Sequence, residues 1–226
     1  MENRKQIENK IQKNVEEFWK WAFKSSSKEE ILNGEIDSPS FPNWQKIENN
    51  LEEAFRNLNF DELGNKTLDN IIFIIAQQWD IGIILNWFNK GGEEIGQLGM
   101  TELQLQRICE RGVTTNLIDA KSQLAASLYK IENKEKAKEL LLSYYKDEDE
   151  YIRRMSLNSL HKLGYQNIND LLLNSWDKNE EYERMICLQI WSEINEKEFI
   201  KYCEIAEKDE RKYLREFAIK IKKEQE

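Results

Sequence analysis

Apolar and polar positions recur every 31 residues in the second half of the chain. Each copy reads Tyr-x-Arg-x-x followed by a small, an aliphatic and a polar residue, and the copies start at Tyr151, Tyr182 and Tyr213. A degenerate copy starts at Ala120 and has neither the Tyr nor the Arg. A period of about 20–50 residues is typical of proteins in which each unit buries its apolar face against neighbouring units.

A second apolar stretch accompanies these copies, at Glu135–Tyr145, Ile168–Trp176 and Glu198–Glu207. Within each copy its mostly apolar positions lie at offsets of 0, 4 and 7 residues from the first of them. Residues at these offsets share one face of an α-helix. Taken in threes along the period, these positions are Ala137, Ile168 and Phe199, then Leu141, Leu172 and Cys203, then Tyr144, Ser175 and Ala206. The pattern therefore predicts two helices per repeat and an all-α fold.

The repeat resembles the HEAT-like family, whose units have an acidic turn residue, an Arg early in the first helix and a small residue soon after it. The matching residues are Arg153, Arg184 and Arg215, the turn acids Asp147, Asp177 and Asp209, and the small residues Ser156, Cys187 and Ala218. The period is shorter than the roughly 40–47 residues of HEAT and armadillo units. The resemblance implies a right-handed α-solenoid of stacked antiparallel helix pairs, whose second helices line the concave surface.

The first half of the chain predicts helices without a regular repeat. Apolar residues at helical spacing predict helices at Met1–Lys24 and Trp44–Leu58. At Leu68–Phe88 they predict either two helices or one helix that breaks near Asp80 to Gly82. The run Ile71–Ile75 is rich in β-branched residues, so a buried strand is the alternative there. We therefore predict an irregular helical region at 1–115 that packs onto the array, and HEAT-like repeats at 116–226.

Short polar residues mark where several helices begin. Ser25–Ser27 precede a short helix at Lys28–Asn33 that Gly34 would end. Thr67, Thr101 and Asn116 are the predicted caps of three later helices.

Composition narrows the class of protein. The 226 residues carry a net charge of −9, and only two prolines and nine glycines occur. Low Pro and Gly content favours helices over sandwiches and barrels. An acidic chain repels phosphate backbones, so nucleic-acid binding is disfavoured and a basic partner is favoured.

The chain has few residues suited to metal or acid–base chemistry. Cys109, Cys187 and Cys203 form no C-x-x-C motif, which is typical of a reduced, cytoplasmic protein without a thiolate metal site. His161 is the only histidine, and we expect it on the surface. The polar N-terminus predicts no signal peptide, and the longest apolar run, Ile71–Ala76, is too short for a membrane span. We predict no catalytic residue, metal or cofactor.

The predicted binding residues lie mostly on the second helices. Aromatic anchors on a concave surface suit protein binding, because interface hot spots favour Trp, Tyr and Arg. The candidate residues are Tyr145, Trp176 and Glu207 in one column, Lys138, Asn169 and Ile200 in another, and Arg154 as a solvent-facing residue of a first helix. The alternative is that the aromatic residues fill gaps between repeats. The repeat arginines could likewise form a basic ladder, but pairing with turn acids and helix-terminal carbonyls is the preferred interpretation.

These features predict a non-enzymatic protein-binding module. A narrower hypothesis is a toxin-neutralising immunity protein that binds a basic nuclease by charge complementarity. The alternative function is a HEAT-like DNA-repair glycosylase, which would need a basic groove and a buried catalytic carboxylate. A chromophore-attachment helper would need a bilin pocket. The sequence makes no prediction of oligomeric state.

Overall fold

The structure is a computed structural model that describes residues 2–34, 36–78, 83–86 and 100–225. Within these ranges all regular secondary structure is helical, which confirms the predicted all-α class. The α-helices are α1 Glu2–Ala22, α2 Lys28–Leu32, α3 Trp44–Asn57, α4 Asn65–Gln77, α5 Ile83–Asn86, α6 Glu102–Gly112, α7 Ile118–Ser127, α8 Lys134–Tyr144, α9 Glu150–Lys162, α10 Ile168–Asp177, α11 Glu181–Ile194, α12 Glu196–Ala206 and α13 Lys212–Gln225.

Two predicted helix starts are confirmed by capping boxes. Ser27 accepts from the Glu30 backbone N–H, and the Glu30 carboxylate accepts from the Ser27 backbone N–H. Thr101 forms the same reciprocal pair with Gln104. Such caps satisfy backbone donors that a helix start leaves without intrahelical partners. Gly34 follows α2 with a φ of +72°, a conformation that favours glycine.

Two other predicted caps are wrong by one to three residues. Helix α4 begins at Asn65 after Gly64, so Thr67 lies inside the first turn. Helix α7 begins at Ile118 and its cap position is Leu117, one residue after Asn116. The strand alternative for Ile71–Ile75 is also wrong, because α4 contains these residues. The predicted break near Asp80 lies outside the described residues.

The first compact unit is Met1–Glu132. Helix α1 packs against α3 and α4, and α4 packs against α6 and α7. The α4 run from Ile71 to Ile75 is buried all round, since it is surrounded by these neighbours. Burying each large aliphatic side chain contributes about 1.5–3 kcal/mol. Helix α7, which the sequence assigned to the repeats, makes its contacts with α4 and α6 in this unit.

The second compact unit is Asn133–Glu226 and contains the regular part of the sequence. The first helices pack in succession, α9 on α11 and α11 on α13. The second helices α10 and α12 each pack against the first helices on both sides. All nine positions predicted for the apolar face of the second helices are at most 7% exposed, which confirms the helical register. Ser156, Cys187 and Ala218 are fully buried, so small residues stand where helices approach closely.

A buried ion pair joins two first helices. The guanidinium of Arg153 on α9 contacts the carboxylate of Glu183 on α11, with an Nη2–Oε2 distance of 2.5 Å. The two side chains are 5% and 0% exposed. Nη1 of Arg153 also donates to the backbone carbonyls of Asp147 and Glu148 at 3.1 and 2.6 Å. This one side chain therefore links α9, α11 and the turn between α8 and α9.

Candidate functional site

Two of the predicted binding residues are interior packing residues. Tyr145 and Trp176 are 8% and 4% exposed. The Tyr145 hydroxyl lies 2.8 Å from Ser175 Oγ and donates to the carbonyl of Leu171 at 2.9 Å. Because the ring and its hydroxyl are both engaged at α10, this position supports the gap-filling alternative.

Trp176 belongs to an aromatic cluster between repeats. Its ring centroid is 4.7 Å from that of Tyr202, and Tyr202 stacks on Trp191 at 4.5 Å. The Arg184 guanidinium lies over the Trp176 ring at 4.7 Å. Residues of α11 and α12 therefore cover the Trp176 ring. Neither Trp176 nor Tyr145 offers an open face to a partner or a base.

The remaining second-helix candidates make local polar contacts. Glu207 accepts from Lys222 Nζ at 2.9 and 3.0 Å, in the column where the earlier repeats have Tyr145 and Trp176. Lys138 donates to Glu135 on its own helix at 2.9 Å. Asn169 accepts from the Trp191 indole N–H at 2.8 Å, and Ile200 is exposed. These residues do not form one continuous aromatic surface.

The exposed aromatic residues of this unit instead lie on the first helices. Tyr151, Tyr182 and Tyr213 are 41%, 44% and 58% exposed. Four residues further along each helix stand the partly exposed Met155, Ile186 and Phe217, and residues at this spacing share a helix face. We call these six residues, together with Arg154, the tyrosine face.

The spacing within each repeat contains a signal for the tyrosine face. Each Tyr precedes the buried small residue by five positions, which is about 140° around a helix. A residue so placed points away from the buried face when the small residue points into it. The family resemblance instead implies a binding surface on the second helices.

A groove of about 140 Å³ lies on the same side of α9, α11 and α13. Its walls are mainly apolar and include two methionine side chains. The lining residues are Arg154, Met155, Tyr182, Met185, Ile186, Gln189 and Phe217. Most of these lining residues belong to the tyrosine face, so the groove lies on that face and is lined by α9, α11 and α13.

Arg154 is the cationic residue of this surface. Its guanidinium lies over the Tyr151 ring at 4.9 Å and over the Tyr182 ring at 5.2 Å. Nε also donates to the Glu150 carboxylate at 2.9 Å. Burial raises the pKa of Glu150, although the charge of Arg154 opposes that rise. Arg154 is thus held by two rings and one carboxylate while part of it is exposed.

The repeat arginines are engaged in structural contacts, as expected. Arg184 donates to the carbonyl of Trp176, and Arg215 donates to the carbonyls of Asp209 and Glu210. Arg153 departs from the expectation in one respect, because its carboxylate partner is Glu183 on the next helix and not a turn acid. These contacts argue against a basic ladder for an anionic ligand.

The remaining titratable candidates of the sequence are His161 and the three cysteines. The His161 side chain is 20% exposed, and its Nε2 is 2.8 Å from Glu193 Oε2. The three cysteines are buried, and burial raises the thiol pKa of Cys187 and brings that of Cys203 to about 11. No group of three or more metal-binding side chains occurs among the described residues.

No family model, curated protein or solved structure matches this chain. In the described ranges, none of the helices combines the length and the apolar content needed to cross a bilayer. The functional interpretation therefore depends on the helical repeats and on the tyrosine face.

Proposed function

We propose that this chain is a non-enzymatic protein-binding protein whose partner docks on the tyrosine face. In this proposal the repeats of residues 133–226 form a HEAT-like α-solenoid. The contact surface lies on the first helices and not on the second helices. The observation that carries it is the exposure of Tyr151, Tyr182 and Tyr213 at equivalent positions of the three first helices α9, α11 and α13.

The residue types of this surface suit a protein partner. Tyr and Arg are enriched at interface hot spots, and methionine adapts its shape to different contacts. The small and aliphatic residues of each repeat form the buried, inward face of its first helix. Core packing therefore does not require the exposed tyrosines. Three copies side by side extend the surface across α9, α11 and α13.

We favour protein binding over the DNA-glycosylase alternative. Tyr145 and Trp176, the aromatic residues of its predicted second-helix surface, are both buried and present no open ring to a base. The buried carboxylate of Glu183 is engaged with Arg153 and has no exposed surface for a substrate. We therefore do not propose an enzymatic activity.

The narrower immunity-protein hypothesis draws on charge. The net charge of −9 favours a basic partner, such as a toxin or nuclease, through long-range attraction. Three cysteines without a C-x-x-C motif are typical of a protein in a reducing compartment, so we propose that the interaction takes place in the cytoplasm. A basic partner should be released as salt increases, because salt screens exposed charges.

The test is affinity capture from nuclease-treated native lysate with matched variants. Wild-type chain should retain one stoichiometric protein, and Tyr151→Ala/Tyr182→Ala/Tyr213→Ala should lose it while keeping its helical circular dichroism. The control, Ile200→Ala/Ile205→Ala, removes two exposed side chains of α12 and should retain the partner. Loss of the partner by the isoleucine variant and retention by the tyrosine variant would show that the second helices carry the interface.

A further inference from the structure

We infer that the tyrosine face recognises a partner segment in which a carboxylate stands beside an apolar side chain. Arg154 binds the carboxylate, and the adjoining groove accepts the apolar group. This inference rests on the proposed function, because it specifies the chemistry of the protein partner at the same surface.

The groove has the size and lining of a side-chain pocket. Its volume of about 140 Å³ is close to that of a cavity that holds a benzene molecule, roughly 150 Å³. Met155, Met185, Ile186 and Phe217 line it with apolar atoms from three helices. One Leu or Phe side chain therefore matches the available space, and the flexible methionines can adjust to either.

Arg154 gives the groove its charge preference. It is the one charged side chain among the lining residues. Its guanidinium lies over the rings of Tyr151 and Tyr182 at 4.9 and 5.2 Å, and such stacking presents a planar fork that suits a carboxylate. The complementary group on a partner is an Asp or Glu beside the apolar anchor.

The neighbouring residues Glu150 and Glu181 leave Arg154 able to bind a partner carboxylate. Glu150 accepts from Nε and Nη2 of Arg154 at 2.9 and 3.4 Å. A guanidinium has five N–H donors, so a second carboxylate can bind beside the first. Glu181, at the start of α11, accepts from the Leu214 backbone N–H at 3.0 Å. Glu150 thus competes with the partner for Arg154 without excluding it.

The charge of the groove differs from the charge of the whole chain. The net charge of −9 attracts a basic partner at long range, whereas the groove selects a carboxylate at the point of contact. A basic protein with one acidic–apolar segment satisfies both conditions.

The test uses a phage-displayed library of random linear peptides selected on the full chain. The selected peptides should carry an Asp or Glu near a Leu or Phe. Arg154→Met should weaken binding of such a peptide about 10- to 100-fold, the loss of one or two charge-assisted hydrogen bonds. Arg154→Met should leave the affinity unchanged for the version of the same peptide in which Gln replaces the acid. Glu150→Gln should increase the affinity for the acidic peptide, because it removes the competing carboxylate.

A charge exchange makes the test specific. Arg154→Glu should reject the acidic peptide and accept the version in which Lys replaces the acid. Labelled methyl groups of Met155 and Met185 should shift on peptide binding, which locates the peptide in the groove. Selected peptides without an acid preference, an Arg154→Met variant of unchanged affinity, or a library that yields no groove-bound peptide would each overturn this inference.

The outcome also separates this inference from the proposed function. If Tyr182→Ala releases the captured partner protein and Arg154→Met does not, protein binding stands and the carboxylate specificity is wrong. If neither substitution affects the captured partner, the tyrosine face is not the interface and both proposals are wrong.

Discussion

Removing one partner of the buried Arg153–Glu183 ion pair should destabilise residues 133–226 by about 3–5 kcal/mol. The magnitude follows from burial. Both side chains are nearly inaccessible, and Nε and Nη2 of Arg153 make three short contacts with the carboxylate, between 2.5 and 3.1 Å. Glu183→Leu would leave a buried guanidinium with carbonyl partners only, and Arg153→Met would leave a buried carboxylate without its hydrogen-bonded cation.

The neighbouring arginine provides a matched control. Arg154→Met makes the same chemical change one residue further along α9, but its ion pair with Glu150 is partly exposed. An exposed pair at this helical spacing contributes about 0.3–0.5 kcal/mol, and each exposed contact of Arg154 with the rings of Tyr151 and Tyr182 contributes about 0.5–1 kcal/mol. The structure therefore predicts a larger loss of unfolding free energy for Arg153→Met than for Arg154→Met.

The double variant Arg153→Met/Glu183→Leu completes the cycle. Replacing a buried ion pair by apolar residues is often neutral or stabilising, so the double variant should recover most of the loss. Urea denaturation followed by far-ultraviolet circular dichroism measures each free energy of unfolding. If Arg153→Met costs no more than Arg154→Met, the pair is not buried between α9 and α11 and the packing of these helices is wrong.

Three further predictions test the packing of this unit. Leu172→Ala should cost about 2–5 kcal/mol in chemical denaturation, whereas the exposed Ile205→Ala should stay within about 0.5 kcal/mol; equal costs would refute the helical register. Tyr145→Phe should cost about 1–2 kcal/mol by removing buried hydroxyl hydrogen bonds, whereas Tyr151→Phe should be neutral in thermal melts; the reverse order would mean that the buried and exposed tyrosines are misassigned. Neighbouring guanidinium groups, first Arg211 and then Arg184, lower the pKa of Asp209 to about 2. The stabilising effect of the Asp209 carboxylate is therefore present above about pH 4 and is lost as the pH falls towards 2. Asp209→Asn should flatten this part of the stability–pH curve, and an unchanged curve would contradict the contact between Asp209 and these arginines.

The helical register of the repeats was predictable because burial leaves a strong sequence signal. Leu141, Leu172 and Cys203 recur every 31 residues, and each is buried at an equivalent point. Capping residues with a reciprocal partner, such as Thr101 with Gln104, were also predictable. Thr67 and Asn116 have no such partner, and the helices near them start a few residues away.

The candidate surface was harder to predict because tyrosine and tryptophan suit both cores and interfaces. Tyr145 is buried with its hydroxyl hydrogen-bonded, whereas Tyr151 is exposed, and composition alone does not distinguish them. The burial of Glu183 was equally hidden. It occupies a position where the other copies have Ile152 and Leu214, and it is accommodated there only because Arg153 reaches across from the preceding repeat.

Site-specific photo-crosslinking tests the central claim most directly. A photoreactive phenylalanine at position 182 lies on the tyrosine face, and one at position 205 lies on the exposed side of α12. On irradiation in the native host, position 182 should give one discrete protein adduct and position 205 should give none. An adduct from position 205 with none from position 182 would contradict the claim that this chain binds its partner through the tyrosine face.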